Sequence, residues 1–165
     1  MTVPLIPADP EPLRRLYGDF PSLGEFRIRS INLSWRGPSL ALRVDLPDYP
    51  PHPPEEWTAN VCDVVQCHIH FAAVEHLDLQ GWNPPTKARL TAMPTEQLRM
   101  VDVSVLGSGV SLRFRSHESV VIRHISAYRT TPDVSDEVPH HFLSKLDARR
   151  FSTLPGTHEK TFYER

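Results

Sequence analysis

Residues 62–76, CDVVQCHIHFAAVEH, place two cysteines, three histidines and two carboxylates in fifteen positions. Their reading decides between a metal-bearing enzyme and a plain β scaffold. In an extended strand Val61, Val65, Cys67, Ile69 and Phe71 share one face, while Cys62, Gln66, His68 and His70 share the other. The first set is aliphatic, thiol or aromatic, which suits a face turned to a core, and a buried thiol behaves as a small hydrophobe. The second set reads as the polar outer face of a half-buried strand. Five residues of strand separate the two thiols by roughly 16 Å. A disulfide needs Cα atoms closer than about 7 Å, so both cysteines are expected to be free, as in a reducing compartment.

Outward from this strand, AAVEH turns the chain and LDLQGW returns it with Leu77 and Leu79 inward, a hairpin in outline. On the N-terminal side, LALRVDL alternates Leu40, Leu42, Val44 and Leu46 against Arg43 and Asp45. EFRIRSINLSW puts Phe26 and Ile28 on one face, then Ile31, Leu33 and Trp35 on the other, and that change of phase predicts a bulge near Ser30. Downstream, KARLTAM and QLRMVDVSVLG read as strands, the second with a phase change between Met100 and Val101. GSG at 107–109 forms a hairpin turn into VSLRF, and SVVIRHISAY closes the series. These make about eight strands between residues 25 and 129. The predicted fold is mainly β, an antiparallel sandwich or open barrel. Asp9, Pro10 and the spacing of Leu13, Leu16 and Tyr17 predict a short front helix ending near Gly18. HHFLSKLDARRF predicts a short C-terminal helix with Phe142, Leu146 and Phe151 on one face. Residues 1–131 thus form a β domain with its front helix, and 132–165 a polar extension that is partly helical or loosely held.

Composition narrows the function. The 165 residues are the size of one domain, and 17 prolines favour strands and loops over long helices. Eighteen basic and twenty acidic side chains leave a net charge of −2, so no global field recruits nucleic acid or an anionic membrane. MTVPLIPADPEP lacks the basic-then-apolar order of a signal peptide, and no run approaches the length of a membrane span. A cytoplasmic protein is expected, a monomer or weak dimer.

The chemical constellations are weak. His68 and His70 share a face, and with Glu75 they make His-x-His-x4-Glu, similar to the first half of the cupin metal motif. Cys62 replaces the preceding glycine, however, and the second half has no counterpart around 105–125. Nothing near Cys67 lowers a thiol pKa toward a nucleophile. GSG lacks the length and context of a nucleophile elbow. Arg27, Arg29 and Arg36 beside Phe26 and Trp35 fit the solvent side of a strand better than a nucleic-acid platform. We expect no catalytic residue, no cofactor and no metal, with His68, His70 and Glu75 as the alternative metal set of a cupin-like enzyme. A small-ligand-binding β module is a further alternative, and needs a deep apolar pocket.

PDYPPHPPEEW holds five prolines in eleven residues and predicts a stiff connecting loop of the kind that carries recognition surfaces. Asp45, Asp48, Glu55 and Glu56 surround it as either a solvated rim or an acidic patch for a basic partner. The order of features, INLSWRGPSLALRVDL, PPEEWTAN with Trp57 and Asn60, VVQCHIHFAAVEHLDLQGW ending Gly81-Trp82, and VIRHISAY with Tyr128, resembles the immunity protein 50 family of bacterial polymorphic-toxin systems across residues 25–129. The resemblance implies a small protein that binds and blocks a cognate toxin without an active site. His68 and His70 depart from the plain residues expected on that strand, which leaves open a metal site or a tuned contact surface. The expected contact residues are Asp45, Asp48, Tyr49, Glu55, Glu56, His68 and His70. Trp57 and Trp82 fit the end of the core.

Overall fold

A computed structural model describes residues 1–21 and 23–150. In chain order the elements are β1 (Ile6–Pro7), α1 (Glu11–Tyr17), β2 (Phe26–Ser34), β3 (Ser39–Asp45), α2 (Glu55–Ala59), β4 (Val64–Phe71), β5 (Glu75–Gln80), β6 (Thr86–Pro94), β7 (Met100–Gly107), β8 (Val110–His117), β9 (Ser119–Tyr128), β10 (His141–Phe142) and α3 (Lys145–Arg150). The strands form one sheet in the order β1-β9-β4-β3-β2-β6-β7-β8-β5, with β10 also on β9. Apart from the parallel contact of β1 with β9, all pairs are antiparallel, and the sheet does not close into a barrel. The eight strands expected between 25 and 129 are β2 to β9. No helix among the described residues is long and apolar enough to cross a membrane.

One core serves the whole sheet. Phe71 of β4 and Phe114 of β8 meet edge to face with ring centroids 5.0 Å apart, although four strands lie between them in the pairing order. The sheet must therefore curl until its two arms face each other. Leu40, Leu42 and Val44 of β3, Val65, Cys67, Ile69 and Phe71 of β4, and Val110, Leu112 and Phe114 of β8 fill the space between. Leu13 and Leu16 of α1 join them; Asp9 accepts from the Glu11 N–H at the helix start, and Gly18 at φ 82° ends it. At the end of β7 the backbone lies close against β6, for a Cβ at Gly107 would lie 2.1 Å from the Lys87 carbonyl oxygen.

Bulges aim the side chains. The register of β2 on β3 shifts between Ile28 and Ser30, where the phase change of the sequence predicts it. A second shift lies between Gln66 and His68 of β4, which pair with Ser126 and Arg123 of β9. Cys67 thus faces two residues, and one of them, His124, sits at φ 53°, a left-handed conformation that costs a non-glycine residue and marks a constrained position.

Three expectations need correction. The extended segment begins at Val64 and not at 61: Val61 turns at φ 55°, and the Cys62 N–H bonds to the Trp57 carbonyl 3.0 Å away. Both cysteines are nevertheless free and buried. β5 does not return against β4. Both edges of β4 are taken, by β3 and β9, so β5 crosses to the far end of the sheet and pairs with β8. At that edge Leu77 and Leu79 are 38% and 39% exposed. Finally, His141 and Phe142 pair with β9 as strand, and the C-terminal helix starts only at Lys145; Phe151 lies outside the described residues.

Candidate functional site

Residues opposite one another across an antiparallel ladder share a face. Arg43 pairs with His68, Asp45 with Gln66 and with Arg27, and Gln66 with Ser126. The outer face of β2, β3, β4 and β9 is therefore a polar field. It is not the solvated face that the alternation suggests: Arg29, Asp45, Gln66, His68, His124, Ser126 and Tyr128 are all buried, and residues 132–147 cover them.

Burial of charge is tolerated only where partners replace water, and the contacts supply them. Arg29 donates from Nε and Nη2 to Asp45 Oδ2 at 3.0 and 2.8 Å, and from Nη2 to the Tyr128 hydroxyl at 3.0 Å. The Tyr128 hydroxyl donates in turn to Asp45 Oδ2 at 2.9 Å. Its pKa is raised by burial first and then by the Asp45 charge. From the cover, the Val134 carbonyl accepts from Arg29 Nη1 at 2.7 Å. Asp136 accepts from Gln66 Nε2 at 2.8 Å and lies 3.5 Å from Arg43 and 3.9 Å from Arg29. Burial pushes the Asp136 carboxyl up, but the Gln66 amide, Arg43 and Arg29 outweigh it and hold it below its ordinary value. His140 bridges the Ser126 hydroxyl at 2.8 Å and the Asp136 carbonyl at 2.9 Å, its ring 4.8 Å from that of Tyr128.

The left-handed bulge swings His124 against His68, ring centroids 4.8 Å apart, and its Nδ1 meets Asp147 Oδ1 at 3.1 Å. His68 and His70 rings are 6.1 Å apart. Burial, with Arg123 and His124 nearby, lowers the His70 pKa to about 4, so the ring is neutral at ordinary pH. Its Nε2 is buried without a hydrogen-bond partner among the described residues. Glu75 stands apart on the exposed edge strand β5, its carboxylate 3.8 Å from His76. Among the described residues no group of three His, Cys, Asp or Glu side chains is placed to hold a metal ion. The Cys67 thiol, raised to about 12 by burial and then by Asp45, is a core group.

The remaining expected contact residues lie on a different surface. The prolines carry Asp48 outward, and Glu55 and Glu56 open α2; all three are exposed, as is Asp63. Glu56 meets His141 Nδ1 at 3.3 Å. Tyr49 is partly buried against the core. Trp57 beneath the rim is fully buried, while Trp82 at the far end is 41% exposed. The structure therefore divides the expected set: Asp48, Glu55 and Glu56 form an open rim, Tyr49 borders it, and Asp45, His68 and His70 belong to the covered face. Arg29, expected on the solvent side of its strand, is instead buried against Asp45. Asp136, His140 and Asp147 were not singled out by the sequence reading. Their only signal was a polar tail that matches a polar strand face, which periodicity cannot pair.

The sheet thus carries a buried charge network on one face and an open acidic rim beside α2. Residues 9–128 match the family described as Immunity protein 50, and the chain belongs to that family. It has no match among curated proteins or among solved structures. The family supports an immunity function and a non-enzymatic role.

Proposed function

We propose that this chain neutralises a cognate bacterial toxin in the cytoplasm by stoichiometric binding, as a monomer or weak dimer and without turnover. The family match over residues 9–128 carries the reading. The open rim supports this reading: Asp48, Glu55 and Glu56 project from a loop stiffened by prolines and backed by the buried Trp57, so little ordering is required on association. A toxin surface that is basic there would be steered by these charges, and an interface of about 1,600 Å² in total is sufficient for a stable complex.

Co-expression with the toxin encoded beside this chain tests the reading. Restored growth and an equimolar complex on size exclusion are expected; failure of both rejects it. The double variant Glu55→Lys/Glu56→Lys should lower the association rate by about tenfold at low salt, an effect that fades as salt rises. An unchanged rate removes the rim from the interface while leaving the immunity function standing.

A further inference from the structure

We infer that residues 132–147 are a displaceable strap over a carboxylate-binding face, and that an acidic, extended segment of a protein partner takes the strap's place. The inference concerns the covered face and not the acidic rim, which touches the strap where Glu56 meets His141.

The face selects its occupant by chemistry. Gln66, Arg43 and Arg29 surround one carboxylate, Asp136, and His124 meets a second, Asp147. Between these points the strap adds to the edge of β9, with His141 opposite Ala127 and Phe142 opposite Ser126, and the Leu143 N–H bonds to the Ile125 carbonyl at 2.9 Å. That is strand addition: main-chain bonds to a sheet edge, with side-chain sites for acids on either side. A partner segment that is extended along the β9 edge and offers a carboxylate to Gln66, Arg43 and Arg29 presents the same groups there, whereas the second carboxylate, Asp147, comes from the first turn of α3.

The attachment is suited to exchange. The residues that make the face, Arg29 to Tyr128, lie inside the family-matched span, and the strap lies outside it. Of the strap's apolar side chains Phe142 alone is buried, while Val134, Val138, Leu143 and Leu146 are half-buried, so the strap combines a small apolar anchor with polar contacts that another peptide can replace. At its start Asp63 of the α2–β4 connection accepts from both the backbone N–H and the hydroxyl of Thr130. This clamp fixes the hinge and leaves the rest able to lift as one local unit.

Hydrogen exchange on the full chain is the first test. The Leu143 amide should exchange at least about tenfold faster than the amides that pair β3 with β4, which marks opening of the strap without global unfolding. Asp136→Asn should speed Leu143 about tenfold more and leave β3 and β4 unchanged. The second test uses a labelled peptide of residues 131–148. Full-length Asp136→Asn should bind it about tenfold more tightly than the parent chain, because the tethered competitor is weakened. A peptide with asparagine at both 136 and 147 should bind about tenfold more weakly than the acidic one. Leu143 exchanging in step with β3 and β4 in the parent chain, or the acidic and amidated peptides binding alike or not at all, overturns the inference.

Discussion

β4 and β8 are both eight-residue strands that alternate apolar with polar side chains, and they face each other across the core. β8 does what its alternation implies: Val110, Leu112 and Phe114 point inward, while Arg113 is exposed and Arg115 meets Asp102 at the surface at 2.8 Å. β4 buries its apolar face in the same way, yet Gln66 and His68 on the other face are also out of water. The difference is the strap. Alternation identifies which side chains share a face, but what covers that face depends on segments far away in the chain. A polar row is consistent with solvent or with a polar lid, and only the lid demands that each buried group find a partner.

The comparison can be broken most directly at its extremes. Phe114→Ala on β8 and Phe71→Ala on β4 should each cost about 3–5 kcal/mol in urea unfolding, because the inner faces are equivalent. Asp45→Ala, on the outer side, should cost a similar amount by stranding the buried Arg29 charge. A cost under about 1 kcal/mol for Asp45→Ala would mean that this face is wet in solution and β4 is an ordinary half-buried strand.

Acid should separate the two strands next. The unfolded His70 takes up its proton near the ordinary value of 6.5, the folded one only near 4. Between these values the unfolded chain binds more protons, so folding stability falls as pH drops from 6.5 toward 4 and recovers as pH rises. The loss is at most about 3 kcal/mol. Denaturant midpoints at pH 7.5, 6 and 5 should show it, and His70→Leu should flatten this part of the profile; an identical slope in the variant refutes the assignment.

A smaller effect concerns the inward side of β4. Cys67, buried with its pKa pushed up to about 12, should resist iodoacetamide in the folded chain and react only in denaturant. Labelling at the rate of a free thiol would show that β4 opens locally. Smallest of all, Arg113→Ala on β8 should change stability by no more than about 0.5 kcal/mol, since its side chain lies in water.

Much of this architecture was legible in the residues. Period-two patterns set β2 to β9, the phase change at Ser30 located a bulge, and Gly107 to Gly109 set a hairpin, because these are local properties of the backbone and its neighbours. The β4–β5 hairpin misled because adjacency in sequence says nothing about which edges are already occupied. The candidate site was legible only in part. Asp48, Glu55 and Glu56 announce themselves as charges in a proline-rich loop, whereas Asp45 looked the same in sequence and proved to be locked to Arg29 and Tyr128.

By itself the sequence determined the β class, the free thiols, the inward set of β4 and the membership of the Immunity protein 50 family. Tertiary structure alone decided the strand order, the crossing of β5 to β8, and the conversion of His68, Gln66 and Asp45 from apparent surface groups into a buried network. The physical reason is range. Alternation and turn chemistry act over a few residues, while the cost of burying charge is settled by partners such as Asp136 and Asp147, 70 or more positions from Gln66, which only the folded chain brings within hydrogen-bonding distance.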